Sequence, residues 1–293
     1  MDSHLESFET RANGFTFTGL ASGPEGGRPV MLLHGFPQTS WSWREELGAL
    51  GAARFRAVAF DQRGYSSGAR PGSVGDYGID SLAADVLAVA DAHGWESFDV
   101  VGHDWGAMVA WVIAARHEDR ITTLSALSVP HPSAFAAALG DSDGEQAQRS
   151  SYIGVFRAEG GVAEKRLLGE DNSGDGLRTM FSATGLDPRS EDADRFVTAM
   201  LEPGAMTAAL NWYRAMSRDA FAGIGPVAVP TLYVWSTADG AIGRKAAEAT
   251  AAHVSGPYRF EVLEGVSHWI PETASEQLNA LLLEHLGSHP VSS

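Results

Sequence analysis

Apolar residues gather in runs of two kinds, broken at intervals by glycine, proline or small polar residues. Short runs rich in β-branched and aromatic side chains cover 15–20, 29–33, 56–60, 98–101, 121–129, 231–235 and 258–263. They predict strands. Between them apolar residues recur at helical spacing over 43–51, 79–93, 105–117, 244–253 and 273–286, with Asp80-Ser81 and Glu272-Thr273 placed to cap helix starts. Such alternation implies a mostly parallel central sheet with helices on both faces. From about Pro132 to Gly223 it stops, leaving Ala-rich and amphipathic stretches such as 192–200 and 206–217, divided by polar Gly-rich loops at 140–151 and 169–176. It resumes at Pro230. The pattern predicts one α/β core, residues 1–131 and 224–293, with a helical cap, residues 132–223, inserted between its halves.

Composition narrows the chemistry. A chain of 293 residues, 44% hydrophobic and 20% charged, can bury a substantial core without staples. The absence of Cys removes disulfides, thiolate zinc sites and cysteine nucleophiles together. A formal charge of −16 opposes phosphate backbones and anionic membranes, so neither nucleic acid nor membrane is an expected partner. The first ten residues do not read as a signal peptide, and the apolar stretch 105–115 is too short to span a bilayer. A cytoplasmic protein is expected.

The decisive stretch runs from Phe98 through Gly102-His103-Asp104-Trp105-Gly106 into a long apolar helix. A tight strand-to-helix turn needs small residues on either side of its central side chain, hence Gly102 and Gly106. It lifts Asp104 above the sheet at a helix N-terminus, whose free N–H groups favour negative charge. Serine in such a turn must be activated by a base, whereas a carboxylate with an ordinary pKa of ~3.9 is already ionised at neutral pH. Asp104 is therefore the expected nucleophile, attacking an sp³ carbon and leaving an alkyl ester that activated water must hydrolyse. Gly-x-Asp-x-Gly also occurs in ordinary loops, so its companions carry weight.

His268, after the last strand, is the candidate general base, since a neutral imidazole with a pKa of ~6.5 can take a proton from water. Asp239, in the turn after strand 231–235, would orient His268 and stabilise its imidazolium; Asp141 and Asp219 are weaker candidates. His34-Gly35-Phe36-Pro37 ends an early strand, and the backbone N–H groups of Phe36 and Trp105 form the candidate oxyanion hole. A cis bond suits Phe36-Pro37. No cofactor is required, and His34, His103 and His268 lack compact metal-ligand spacing.

The chain resembles the soluble epoxide hydrolase branch of the α/β-hydrolase superfamily. The resemblance rests on five ordered motifs: His34-Gly-Phe-Pro37-Gln-Thr-Ser-Trp41-Ser-Trp43, Asp61-Gln-Arg-Gly64-Tyr65, Gly102-His-Asp-Trp-Gly-Ala107, Leu210-Asn-Trp-Tyr213-Arg214 and Gly265-Val-Ser-His268-Trp. It implies an α/β-hydrolase fold with a cap, a small apolar or aromatic epoxide as substrate, a vicinal diol as product, and two cap tyrosines that grip the epoxide oxygen. Tyr152 and Tyr213 are the only tyrosines in 132–223; Tyr213 lies in the closer match. A phenol with a pKa of ~10 can protonate the more basic alkoxide while staying neutral at rest. Arg63 and Tyr65 read as structural, Ser66 stands where the family usually has Gly, and Trp41, Trp105, Trp212 and Trp269 adjoin the site and could line its pocket.

Two other readings stay open. Haloalkane dehalogenases share the Asp nucleophile, the His base and a Trp after the nucleophile, but usually carry a polar residue where Phe36 stands. Fluoroacetate-type enzymes typically have Arg at the position of Trp105. A noncatalytic ligand-binding protein of the same fold is the other alternative, although no member of the Asp, Asp, His set is missing.

Overall fold

The computed structural model describes residues 5–216 and 224–290. Eight strands form one sheet in the order β1-β2-β4-β3-β5-β6-β7-β8. β1 (Glu6–Ala12), β2 (Phe15–Ser22) and β4 (Phe55–Phe60) pair antiparallel in succession. From β4 the sheet continues parallel through β3 (Arg28–Leu33), β5 (Phe98–His103), β6 (Ile121–Leu127), β7 (Thr231–Ala238) and β8 (Tyr258–Ser267). β5 lies at the centre and is buried at every residue, as its apolar sequence requires.

Side-chain alternation along the strands splits the core in two. Val30 and Leu32 of β3 face Leu47 and Leu50 of α1 (Arg44–Ala52) and Leu278, Leu282 and Leu286 of α13 (Ser275–Ser288). Met31 and Leu33 point the other way, toward α2 (Ile79–Ala92) and α3 (Trp105–Arg116). All but the last two residues of α3 are buried, in keeping with a helix apolar all round.

Between β6 and β7 the described residues hold seven helices and no strand. They are α4 (Pro132–Leu139), α5 (Glu145–Arg149), α6 (Tyr152–Phe156), α7 (Val162–Leu168), α8 (Asp175–Thr184), α9 (Glu191–Leu201) and α10 (Ala205–Ala215). Polar clasps tie them to the strand loops. Trp212 of α10 donates through its indole N–H to the Arg63 carbonyl at 2.7 Å, and Arg149 of α5 donates to the Asp239 carbonyl at 2.8 Å. Arg214 pairs with Glu164 at 2.9 Å, joining α10 to α7. Ser66 has an ordinary extended backbone, and its hydroxyl donates to the Asp61 carbonyl at 2.6 Å, so this loop does not need glycine there.

Several local expectations are corrected. β1 was not expected, because an edge strand with one wet face shows little apolar alternation; its residues run mostly exposed or half-buried. β6 ends at Leu127 instead of Val129, since Ser128 turns with φ +66°. β8 runs past its expected end at 263 and through Gly265, whose glycine suits a turn; a register shift against β7 and φ +74° at Gly265 make it a bulge that runs directly into His268. The expected caps also fail. Gly78 precedes α2 with no side-chain cap; beyond α11 (Arg244–Ala249), Glu272 turns inward on the short helix α12 (Ile270–Thr273), leaving Ala274 to precede α13. Among the described residues no helix is long and apolar enough to cross a membrane.

Candidate active site

Asp104 sits between β5 and α3 with φ +52° and ψ −120°, a conformation that side-chain-bearing residues rarely adopt. The two glycines make it feasible. A Cβ on Gly102 would collide with the Gly106 carbonyl, and one on Gly106 with the Leu33 carbonyl. Gly35 is just as constrained, since a Cβ there would strike the side chain of Asp104. This clearance lets the Phe36 N–H donate to Asp104 Oδ1 at 2.8 Å, within a turn whose Phe36-Pro37 bond is cis. Among the described residues, no hydrogen bond runs from the Trp105 N–H to the carboxylate. The second expected oxyanion-hole donor is thus next to Asp104 but unengaged with it.

His268 and Asp239 arrive from β8 and β7. His268 Nδ1 lies 3.0 Å from Asp239 Oδ2, and Nε2 lies 3.5 Å from Asp104 Oδ2. Asp239 Oδ1 accepts from the N–H groups of Ala241 and Ile242 at 2.7 and 3.0 Å. Burial alone would lower the imidazole pKa, but Asp239's charge, the hydrogen bond to Asp104 and the hydrogen bond to Asp239 together raise it to about 10. The expectation was a neutral resting imidazole; carboxylates at both ring nitrogens instead favour its protonated form. Burial pushes Asp104 and Asp239 up, yet His268 outweighs it and holds both below the usual carboxylate range. Asp141 bonds to Lys245 instead, and Asp219 lies outside the described residues.

Tyr152 and Tyr213 face this carboxylate across an apolar cavity of about 630 Å³ that also touches Phe36, Phe156, His268 and Trp269. Tyr213 is set by edge-to-face contacts with Phe36 at 5.3 Å and Trp105 at 5.2 Å between ring centres. The two tyrosine rings stand 6.4 Å apart. Burial, then the charge of Asp104, pushes both phenols above their ordinary range, so they hold their protons at rest. A second, smaller cavity of about 40 Å³ meets the first at Asp104, Tyr152, Tyr213 and Ala241. Of the four tryptophans, Trp269 lines the large cavity and Trp105 the small one; Trp41 and Trp212 line neither.

His34 and His103 are held elsewhere. His34 Nε2 accepts from the Gln62 N–H at 3.1 Å, and His103 Nε2 lies 2.8 Å from the His268 carbonyl. Among the described residues no group of His, Cys, Asp or Glu is arranged to hold a metal ion. The contacts of three residues at the site were missed in the sequence. Gln38 accepts from the Gly35 N–H at 2.9 Å, Glu272 accepts from Gln38 at 2.7 Å, and Ser128 reaches both Asp239 and His268. Only Ser128 carried a usable signal, a polar residue closing an apolar run at the C-terminal edge of a parallel sheet, where such sheets bind ligands.

A family profile described as the alpha/beta hydrolase fold matches residues 28–275. The AB hydrolase superfamily protein YfhM of Bacillus subtilis is 35% identical over 280 residues, covering 94% of this chain and 95% of that protein. Epoxide hydrolase A of Mycobacterium tuberculosis is 32% identical, over 94% of this chain and 95% of its own. The crystal structure of epoxide hydrolase A from Mycobacterium thermoresistibile superposes with a TM-score of 0.83 at 28% identity, covering 99% of this chain and all of that one.

Proposed function

The chain belongs to the α/β-hydrolase family, on its epoxide hydrolase branch, and is a hydrolase; on that premise we propose that it adds water to an apolar or aromatic epoxide through an ester on Asp104. The observation that supports this most is the pair of phenols, Tyr152 and Tyr213, lining the same apolar cavity as a carboxylate held at a helix N-terminus. In this reading residues 132–223 are a cap over a core of residues 1–131 and 224–293.

Asp104 Oδ1 is held by Phe36, which leaves Oδ2 to attack a ring carbon. The carbon–oxygen bond of the ring breaks, and its oxygen takes a proton from a tyrosine. Esterification removes the charge of Asp104, and with it one of the two carboxylates that keep the proton on His268. The proton His268 then sheds balances the one the tyrosine gave up. Neutral His268, oriented by Asp239, draws a proton from water as the water oxygen bonds to the ester carbon. The developing oxyanion meets the Phe36 N–H, joined by that of Trp105 as the carbonyl rehybridises. Collapse breaks the bond to the alkyl oxygen, which leaves with the remaining proton of the attacking water as the second hydroxyl of the diol; the carboxylate is restored with one oxygen from water, and His268 is again protonated. No cofactor enters this sequence.

A single turnover in ¹⁸O-water with enzyme in excess tests the route. The first diol should carry unlabelled oxygen from Asp104, and label should enter the peptide that contains Asp104. Label in the diol with none in the peptide would show direct attack by water and sink the ester mechanism.

A further inference from the structure

Ser128 takes the turn at the end of β6 with φ +66°, in the left-handed region that favours glycine. Its backbone is held from both sides. The N–H donates to the Val234 carbonyl at 2.8 Å, and the carbonyl accepts from the Tyr233 hydroxyl at 2.7 Å. Glycine would satisfy both bonds without strain, so the backbone gives no reason for a serine. The side chain gives one. Fully buried, its hydroxyl donates to Asp239 Oδ2 at 2.6 Å and lies 3.0 Å from His268 Nδ1. The N–H on Nδ1 therefore faces two acceptors, the Asp239 carboxylate and the serine oxygen.

At rest the imidazole is gripped at both ends, by Asp104 at Nε2 and by Asp239 at Nδ1. An ester on Asp104 weakens the first grip when ring direction begins to matter, because Nε2 must then meet a water. A single contact at Nδ1 lets the ring swing; two acceptors define its plane. We propose that Ser128 is a positioning residue for ester hydrolysis: its hydroxyl fixes Asp239 Oδ2 and shares the Nδ1 proton of His268, so that Nε2 keeps facing the esterified Asp104. This rests on the epoxide hydrolase reading. It assigns Ser128 no part in ring opening, which needs Asp104 and a tyrosine but no base.

Ser128→Gly removes the hydroxyl and the backbone strain together. The expected result is a Tm equal to or above that of the wild type, ester formation within about twofold, and ester hydrolysis slowed roughly ten- to a hundredfold. Rapid quench with styrene oxide and mass spectrometry of the Asp104 peptide reads both steps. The low-field proton resonance of His268 Nδ1–H, recorded without substrate, should also move. Wild type and His268→Gln are run alongside. If wild type gives no turnover and His268→Gln traps no ester, the epoxide hydrolase reading fails, while the proton resonance still reports on Ser128. If both controls behave and Ser128→Gly clears its ester at the wild-type rate with the resonance unmoved, the positioning role is wrong. A lowered Tm for Ser128→Gly also overturns it, since the hydroxyl would then be holding the fold.

Discussion

At the scale of single residues, neighbours decide the protonation states. His268 is raised to about 10 because carboxylates stand at both of its nitrogens. Asp104→Asn keeps the shape and removes one charge, so an NMR titration of the His268 ring should find its pKa shifted down from about 10 towards neutrality. An unmoved titration would show that Asp104 does not act on the ring. The sign for stability follows. A folded pKa above the unfolded ~6.5 makes the imidazolium stabilising below that pH, and this contribution is lost as pH rises through about 10. Asp104 and Asp239, both depressed, stabilise above the ordinary carboxylate range, and that contribution is lost as pH falls through their folded values. The proposed epoxide substrate rests on Tyr213. Tyr213→Phe should slow epoxide opening about 10²-fold, within the range of general acid catalysis, while sparing any haloalkane, whose leaving halide needs no proton. The reverse pattern in paired kinetics would favour the dehalogenase.

At the scale of elements, turns and bulges deliver the side chains. The strand–turn–helix at Asp104 was legible because Gly102 and Gly106 flank the central residue, where backbone approaches from the Gly106 and Leu33 carbonyls admit only glycine; the third constraint, Gly35 against the Asp104 side chain, comes from the neighbouring strand. The bulge in β8 was not legible, because Gly265 suits a turn as well as a bulge, and only pairing with β7 distinguishes them. Glu272 shows the same limit. It reads as a helix cap, yet folding turns it toward Gln38 and Ser42, where burial outweighs those two hydrogen bonds and raises its pKa to about 7. Ionisation of Glu272 therefore costs the folded state, and the benefit of the neutral form is lost as pH rises from about 4.5 through about 7. Glu272→Gln should raise stability at pH 8 by on the order of 1–2 kcal/mol and change little at pH 5. Thermal unfolding at the two pH values checks this; equal shifts at both would rule out titration of Glu272 as the cause.

At the scale of the molecule, the clasps between the helices 132–216 and the strand loops close an apolar chamber over Asp104. Its two compartments are unequal, about 630 and 40 Å³, and they meet at Asp104 and both tyrosines. A ring bound at that junction has room for one large arm. On its other side there is space for about three water-sized groups, at ~10–15 Å³ each. Terminal epoxides with one aromatic arm, such as phenyl glycidyl ether, should exceed stilbene oxide in kcat/KM by at least ~10-fold, a ratio within reach of apolar pockets. Comparable values for both would show that the small compartment opens in solution.

What the sequence determined by itself is the α/β-hydrolase fold and the Asp104 turn. Apolar periodicity sets which faces are buried, and the turn's glycines are demanded by atoms a few residues away or in the neighbouring strand. What only the tertiary structure decided is the protonation of His268, the inward turn of Glu272, the reach of Ser128 and the shape of the chamber. Each depends on groups that are remote in the chain and brought within hydrogen-bond or contact distance by the sheet order. A side chain's charge state and pocket are properties of that assembled neighbourhood, and no local pattern along the chain encodes them.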